Sequence, residues 1–391
     1  MKVWLLSDYD NRKHQAFRGL IYRYTSGASG DIKIEVKSRT NLWRSLFAHL
    51  RDARNNPLPD VLELPLNWTR RFASLGVLAD LKPHVRYLAE KAYLPAVMAE
   101  LCRHGDSAIY SVPWWQKSPA LYYREKVLKD FCSDPAAGLS TWKGFRRILD
   151  RLAETSRFHN HRLLSIPGSS GPVSLGEVLP HIWGRRGGLY SDDFTHATFT
   201  RDETIGGIQD WLDLAIDGYV RLFSQDRFDN GYLPDEDCVF MLSSRRPSYL
   251  GGKMKLLPYP GCAGGGGLLL VNNLAVSSTS LCQNEAFSLV SWLSDGLNAG
   301  IFADYFGVFP CCTAAFESRI SRDRESDVLR RIYSSPEVLP NFSFYPSAEL
   351  LLQNLLWKLS LKISEGKFLQ EDLRRELIKA QGEADYLLTL D

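Results

Sequence analysis

Pro59-Asp60-Val61-Leu62-Glu63-Leu64 reads as a short, mostly apolar strand, and the helical stretch over residues 69–75 behind it stops at Gly76. Toward the N-terminus the same alternation repeats. Trp43, Leu46, Phe47 and Leu50 fall at i, i+3, i+4 and i+7, one apolar face of a helix. Before them Ile32, Ile34 and Val36 alternate with polar residues, the period of a strand. Residues 11–23 make a further helix, and residues 2–6 the first strand. Strand–helix–strand–helix–strand at this spacing predicts an α/β architecture with a parallel, doubly wound sheet. Ligands of such sheets sit beyond the carboxyl ends of the strands, which singles out residues 7–10, 38–43 and 65–70.

Toward the C-terminus, residues 109–123 hold two short β-prone stretches separated by a segment that is bracketed by Pro113 and Pro119 and carries Trp114 and Trp115. Trp142, Phe145, Ile148, Leu149 and Leu152 form one helical face, with Ser140 or Thr141 as its cap. Strands are expected at 163–166, 238–242 and 271–276, and helices at 205–223 and 284–293. The final fifty residues read as helical, with Leu351, Leu352, Leu355, Leu356 and Leu359 as an apolar stripe.

The chain has 391 residues, which suggests two or three domains or lobes. Lys plus Arg is 47 and Asp plus Glu is 45, so no basic excess points to nucleic acid. No window approaches the length of an apolar membrane span. The first residues meet Asp8 too soon for a signal peptide, so they are read as a strand and not a leader. Seven cysteines without C-x-x-C spacing do not suggest a zinc site or a disulfide framework.

Catalytic signatures are missing. The chain has no G-x-G-x-x-G, no G-x-x-x-x-G-K-[ST], no H-E-x-x-H and no G-x-S-x-G. The run Gly264-Gly265-Gly266-Gly267 reads as a bend or crossover, His159 and His161 as loop residues, and Asp235-Glu236-Asp237 as a solvated turn. Neither an enzyme nor a cofactor or metal requirement is expected.

Several segments, in order, resemble the extracellular solute-binding proteins of ABC importers, in the sugar-binding, maltose-binding-protein-like family. Pro59-Asp60-Val61 with Gly76-Val77-Leu78-Ala79-Asp80-Leu81 is similar to that family's "PDV…GxLxDL" segment. Val112-Pro113 with Leu121-Tyr122-Tyr123, Thr141-Trp142-Lys143-Gly144-Phe145, Trp183 with Gly187-Gly188, Leu274-Ala275-Val276-Ser277, and Gly307-Val308-Phe309-Pro310 resemble its later segments. The chain departs at Asn272-Asn273 and at Ser243-Ser244-Arg245-Arg246, which makes an anionic solute conceivable in place of a neutral sugar.

The resemblance implies a two-lobed periplasmic-binding-protein fold (type II-like), each lobe a doubly wound sheet, joined by three hinge crossovers. Residues 1–117 and 261–308 would form the first lobe, and residues 118–260 and 309–391 the second with the C-terminal helices. Hinge closure around ligand, general to periplasmic binding proteins, would follow. The implied function is non-enzymatic capture of a carbohydrate-like solute in an interlobe cleft, for delivery to an ABC permease by a monomer outside the cytoplasm. The alternative is a cytoplasmic or fused clamshell sensor. Sugar faces need aromatic platforms and hydroxyls need fixed hydrogen-bond groups. Trp68, beside Asn67 and Arg70, and one of Trp114 and Trp115 are the expected platforms; Trp43 is platform or core. Asp8 and Asp10 follow the first strand. Lys117, Ser169, Ser170, Arg245 and Asn273 come from the matching segments.

Overall fold

The computed structural model describes residues 1–7, 11–26, 31–84, 93–101, 108–155, 163–166, 175–220, 238–244, 254–261, 267–334 and 336–389. Asp8, Asp10, His159, His161, Ser169, Ser170, Arg245, Gly264 and residues 235–237 therefore lie outside the described residues. The chain divides into two compact units. The first holds Met1–Lys117, Leu269–Arg324 and Val338–Pro346, and the second Ser118–Leu268, Glu325–Glu337 and Ser347–Asp391. This division has two boundaries more than the three expected crossovers. Residues 309–324, expected in the second lobe, pack in the first unit, where β10 pairs with β4; residues 261–268 belong to the second.

The sheet strands are β1 (Lys2–Leu6), β2 (Lys33–Lys37), β3 (Val61–Pro65), β4 (Val112–Lys117) and β5 (Ala120–Tyr123), then β6 (Leu164–Ser165), β7 (Phe240–Ser243), β8 (Lys255–Pro258), β9 (Leu268–Val276) and β10 (Phe309–Pro310). In the first unit the main path runs β10-β4-β9-β3-β1-β2. β1 is parallel to β2 and β3, as the alternating pattern predicts. β9, arriving some two hundred residues later, inserts antiparallel between β3 and β4. All five residues of β3 are buried, as expected of a central strand covered on both faces.

Helices α1 (Asn11–Thr25), α2 (Arg39–Arg51) and α3 (Thr69–Ser74) follow β1, β2 and β3. Ser38 caps α2 by accepting from the Asn41 N–H. The buried face of α2 is Leu42, Leu46 and His49, one residue round from the expected one. Leu50 is consequently exposed, and Trp43 and Phe47 sit at the border of the core. After α3 the chain turns at Gly76 with φ +71°, which a side chain would oppose.

The second unit has a smaller sheet, β6-β7-β5-β8. Among the described strands β6 pairs in parallel with β7, and β5 runs antiparallel to its neighbours β7 and β8, so β6, β7 and β8 share one direction. Thr141, one of the two expected caps, opens the helix Trp142–Ala153 by accepting from Gly144 N–H. The helices Leu175–Gly184 and Asp202–Ile216 cross at Gly207, where a Cβ would lie 2.4 Å from the Ile182 backbone. The last helix, Gln370–Leu388, is tied down where Asp385 accepts from Ala197 N–H and Gln381 from Thr200 N–H.

Candidate functional site

Register fixes one edge of the first unit. β1, β2 and β3 run parallel, and β4 runs with them, because both β3 and β4 are antiparallel to β9. The segments leaving their carboxyl ends carry Arg12, Arg39, Asn67, Trp68 and Arg70, with Lys117 at the end of β4. Trp115 and Pro65 both pair with Asn272, which brings these strand ends level.

Beneath that edge lies a buried polar knot. The Glu63 carboxylate, fully buried, accepts from the Leu6 N–H at 2.9 Å, Lys13 Nζ at 2.7 Å, the Trp115 indole N–H at 3.0 Å and Asn272 Nδ2 at 2.7 Å. Lys13 Nζ also donates to the Leu6 carbonyl at 2.6 Å and lies 5.1 Å from the Trp115 ring and 5.8 Å from Phe306. A buried carboxylate is tolerated only when paired and hydrogen-bonded, and here one carboxylate joins β1, α1, β3, β4 and β9. The sequence signal is a single acid inside the apolar run Val61-Leu62-Glu63-Leu64, and it has no local meaning because its partner sits fifty residues away.

The expected platforms are placed differently from the reading of them. Trp68 is only 1% exposed and packs in the core against Trp43, Phe72 and the Arg39 guanidinium, at 5.2, 6.2 and 5.3 Å between centres. It leaves β3 at the right edge, but the short 3₁₀ turn Leu66–Trp68 folds its indole back under α2. Trp114 and Trp115 were expected to point to opposite faces. A register shift between Pro113 and Trp115 defeats that alternation. Trp114 stacks on Phe302 at 4.2 Å and meets Phe17 edge-on, while Trp115 meets Phe306 at 5.4 Å. Both therefore face α1 and the helix Gly296–Phe306, and both are buried.

Asn67 is buried, and Asn273 is spent on structure, its Nδ2 donating to Ser111 Oγ at 2.8 Å. Arg70 is half-buried, and its backbone N–H donates to Asn341 Oδ1 at 3.0 Å. Lys117, also half-buried, lies 5.5 Å from the Trp115 ring. Trp43 is the expected platform that keeps partial exposure. Asp8, Asp10, Ser169, Ser170 and Arg245 are not among the described residues.

The second unit has an open depression of about 700 Å³ lined by Trp142, Arg146, Pro180, His181, Arg185 and Asp210 among others. Among the described residues, no expected site residue borders it. Arg185 is bonded to Asp210, Arg146 to Asp217, and His181 Nε2 meets the Tyr259 hydroxyl at 2.7 Å. Burial, with the Arg185 charge second, pushes His181 down to about 3. Cys311 is a buried thiol whose burial raises its pKa well above the ordinary value. Among the described residues no helix is long and apolar enough to cross a membrane, and no cluster of three metal-type side chains occurs.

Comparison with known proteins agrees with this architecture. A family model described as "Bacterial extracellular solute-binding protein" matches residues 23–235, more than half of the chain. Among curated proteins none matches in sequence. A maltose-bound MalE3 of T. maritima is similar over 99% of both chains, with 17% identity and a TM-score of 0.75. The GacH receptor of Streptomyces glaucescens, solved unliganded and with acarbose, covers 98% of both chains at 15% identity and a TM-score of 0.75. An ABC substrate-binding protein of Listeria monocytogenes in complex with cycloalternan covers all of this chain and 98% of its own, at 14% identity and a TM-score of 0.73. The fold is the two-lobed periplasmic-binding-protein fold, and the chain belongs to the bacterial extracellular solute-binding protein family.

Proposed function

We propose that the protein captures a carbohydrate-like solute outside the cytoplasm and delivers it to the membrane subunits of an ABC permease, without converting it. The observation that carries this reading is whole-chain likeness to the proteins bound to maltose, acarbose and cycloalternan, set beside membership of the solute-binding family. The carboxyl edge of the first unit contributes to the solute site through Trp43, Arg70 and Lys117, with Asp8 and Asp10 on the segment after β1. Trp68, Trp114 and Trp115 support that edge from beneath. A structural metal or organic cofactor has no part in this reading.

The test is a melting-temperature screen against mono- and oligosaccharides, amino acids and short peptides. A ligand that binds only the folded state stabilises it by about 2.7 kcal/mol at a hundred times its Kd, so a true solute raises the melting temperature by several degrees. Stabilisation by a sugar, without turnover of chromogenic glycosides, is the expected result. Stabilisation by amino acids or peptides alone would overturn the carbohydrate reading.

A further inference from the structure

We propose that the open depression of the second unit is a binding site for a small planar aromatic acid, a ring that carries a carboxylate or phosphate. This goes beyond carbohydrate capture and does not rest on it. The depression holds about 700 Å³, within the roughly 300–1,000 Å³ of small-molecule sites. Its lining residues lie between Thr141 and Gly261, all inside the second unit. One wall is the outer end of a run of aromatic rings. Phe240 meets Phe145 at 5.1 Å, Phe145 meets Trp142 at 5.5 Å, Trp142 meets His181 at 4.4 Å, and His181 meets Tyr259 at 5.3 Å. Phe145 and Phe240 lie in the core, whereas Trp142 is only half-buried. His181 is 4% exposed and yet borders the depression. Its Nε2 is engaged by the Tyr259 hydroxyl, and no hydrogen bond is described for its Nδ1. Rings favour edge-to-face and offset contacts, so a ligand ring set against Trp142 continues the series.

The polar groups around the ring position decide what the ring carries. The carboxylates are already engaged: Asp210 accepts two hydrogen bonds from Arg185, Asp150 one from the Tyr219 hydroxyl, and Asp213 one from Gln209. The open groups are chiefly donors. The Trp142 indole N–H has no partner among the described residues. Arg146 Nη1 has none either, although Nη2 of the same guanidinium is bonded to Asp217. Lys143 and Arg147 are exposed and make no hydrogen bond or ion pair among the described residues. They stand at i and i+4 on the helix Trp142–Ala153, so both serve one rim of the depression. A sugar hydroxyl donates as well as accepts and would find its acceptors taken. An ionised carboxylate or phosphate accepts charge-assisted bonds from lysine and arginine, and cations beside its ring add attraction to the π face.

The experiment titrates the full chain with phenylacetate, nicotinate and adenosine monophosphate. Calorimetry reads the affinity, and nuclear magnetic resonance reads the indole N–H signal of Trp142, assigned by its loss in Trp142→Phe. Benzyl alcohol supplies the ring without the acid, cyclohexanecarboxylate the acid without an aromatic ring, and maltotriose a neutral sugar. At least one aromatic acid should bind and shift the Trp142 signal. The Lys143→Gln/Arg147→Gln double variant, at two exposed positions, should keep its melting temperature and lose about tenfold in affinity, the scale of a lost charge-assisted hydrogen bond. Unchanged affinity in that variant, or binding that leaves the Trp142 signal in place, would put the ligand elsewhere and overturn the proposal. Equal binding of benzyl alcohol would overturn the acid, and equal binding of cyclohexanecarboxylate the aromatic ring. Binding of no aromatic acid would overturn the site. A Trp142 shift with maltotriose alone would make the depression a sugar site and overturn the proposal as well.

Discussion

Charge enters the two units in opposite ways. In the first, Glu63 and Lys13 are 0% and 3% exposed, and every contact described for them is a close hydrogen bond or an aromatic face. In the second, Arg185 remains 49% exposed beside Asp210 at the rim of a depression, with neutral His181 beneath. The first arrangement must be complete to exist at all, since an unpaired buried ion is far costlier than a missing pair. The second is solvated, and its members can be exchanged one at a time. A charged side chain in this protein is therefore read by its burial before its charge.

The largest effect tests the buried side. Lys13→Met leaves the Glu63 carboxylate in place with neutral donors only and should cost about 3–5 kcal/mol, as loss of one partner of a buried pair does. Urea unfolding measures it. The double variant Lys13→Met/Glu63→Leu should recover a large part of that loss, because no ion is then left behind. A single-variant loss below about 1 kcal/mol would mean the pair is hydrated, and the contrast between the units would collapse.

An intermediate effect belongs to His181, which is buried like Glu63 but kept neutral instead of paired. Its folded-state value of about 3 lies below the roughly 6.5 of an unfolded histidine. The unfolded chain therefore takes up the proton first, so the stabilising contribution is complete above about pH 6.5 and is lost as pH falls toward 3. The slope can reach about 1.4 kcal/mol per pH unit. Carboxylates held below their usual range, such as Asp60 and Glu35, add losses only at lower pH. Between about pH 6.5 and 5 the protein should lose on the order of 1–2 kcal/mol, and His181→Gln should flatten that decline. An unchanged slope in His181→Gln would show that the histidine is charged or solvated.

How much of this was legible follows the same division between local and distant causes. The β1–α1–β2–α2–β3 order was readable because each element has its own period, and Thr141 was readable as one of two candidate caps because it directly precedes its helix. The antiparallel β9 between β3 and β4 was not, because pairing Leu64 with Asn273 is a fact about residues two hundred apart. Trp68 shows the limit most clearly. Its place after β3 was correct and its exposure was not, because exposure was decided by Trp43 and Phe72 arriving from α2 and α3. The bulge at Trp114 likewise has no local mark. Pro113-Trp114-Trp115 reads as the start of a Pro-bracketed segment, and where its side chains point is settled only by the register with β9.

The smallest effect is expected where the comparison is most easily broken, at Arg185 and Asp210. Two hydrogen bonds join them, and the Asp210 carboxylate raises the pKa of the guanidinium chiefly through the side-chain bond. By geometry alone this pair looks as strong as Lys13–Glu63. Exposure reverses the ranking: with half of Arg185 in water, the guanidinium charge left behind on removal of its partner is rehydrated in place, and the gain from pairing is screened by salt. Asp210→Asn keeps the shape, removes the charge, and should cost no more than about 1 kcal/mol in urea unfolding, shrinking further at high ionic strength. A loss above about 2 kcal/mol, insensitive to salt, would exceed what screened pairs give. The depression would then have to be treated as interior, and burial would no longer separate the charges that hold the fold from those that decorate it.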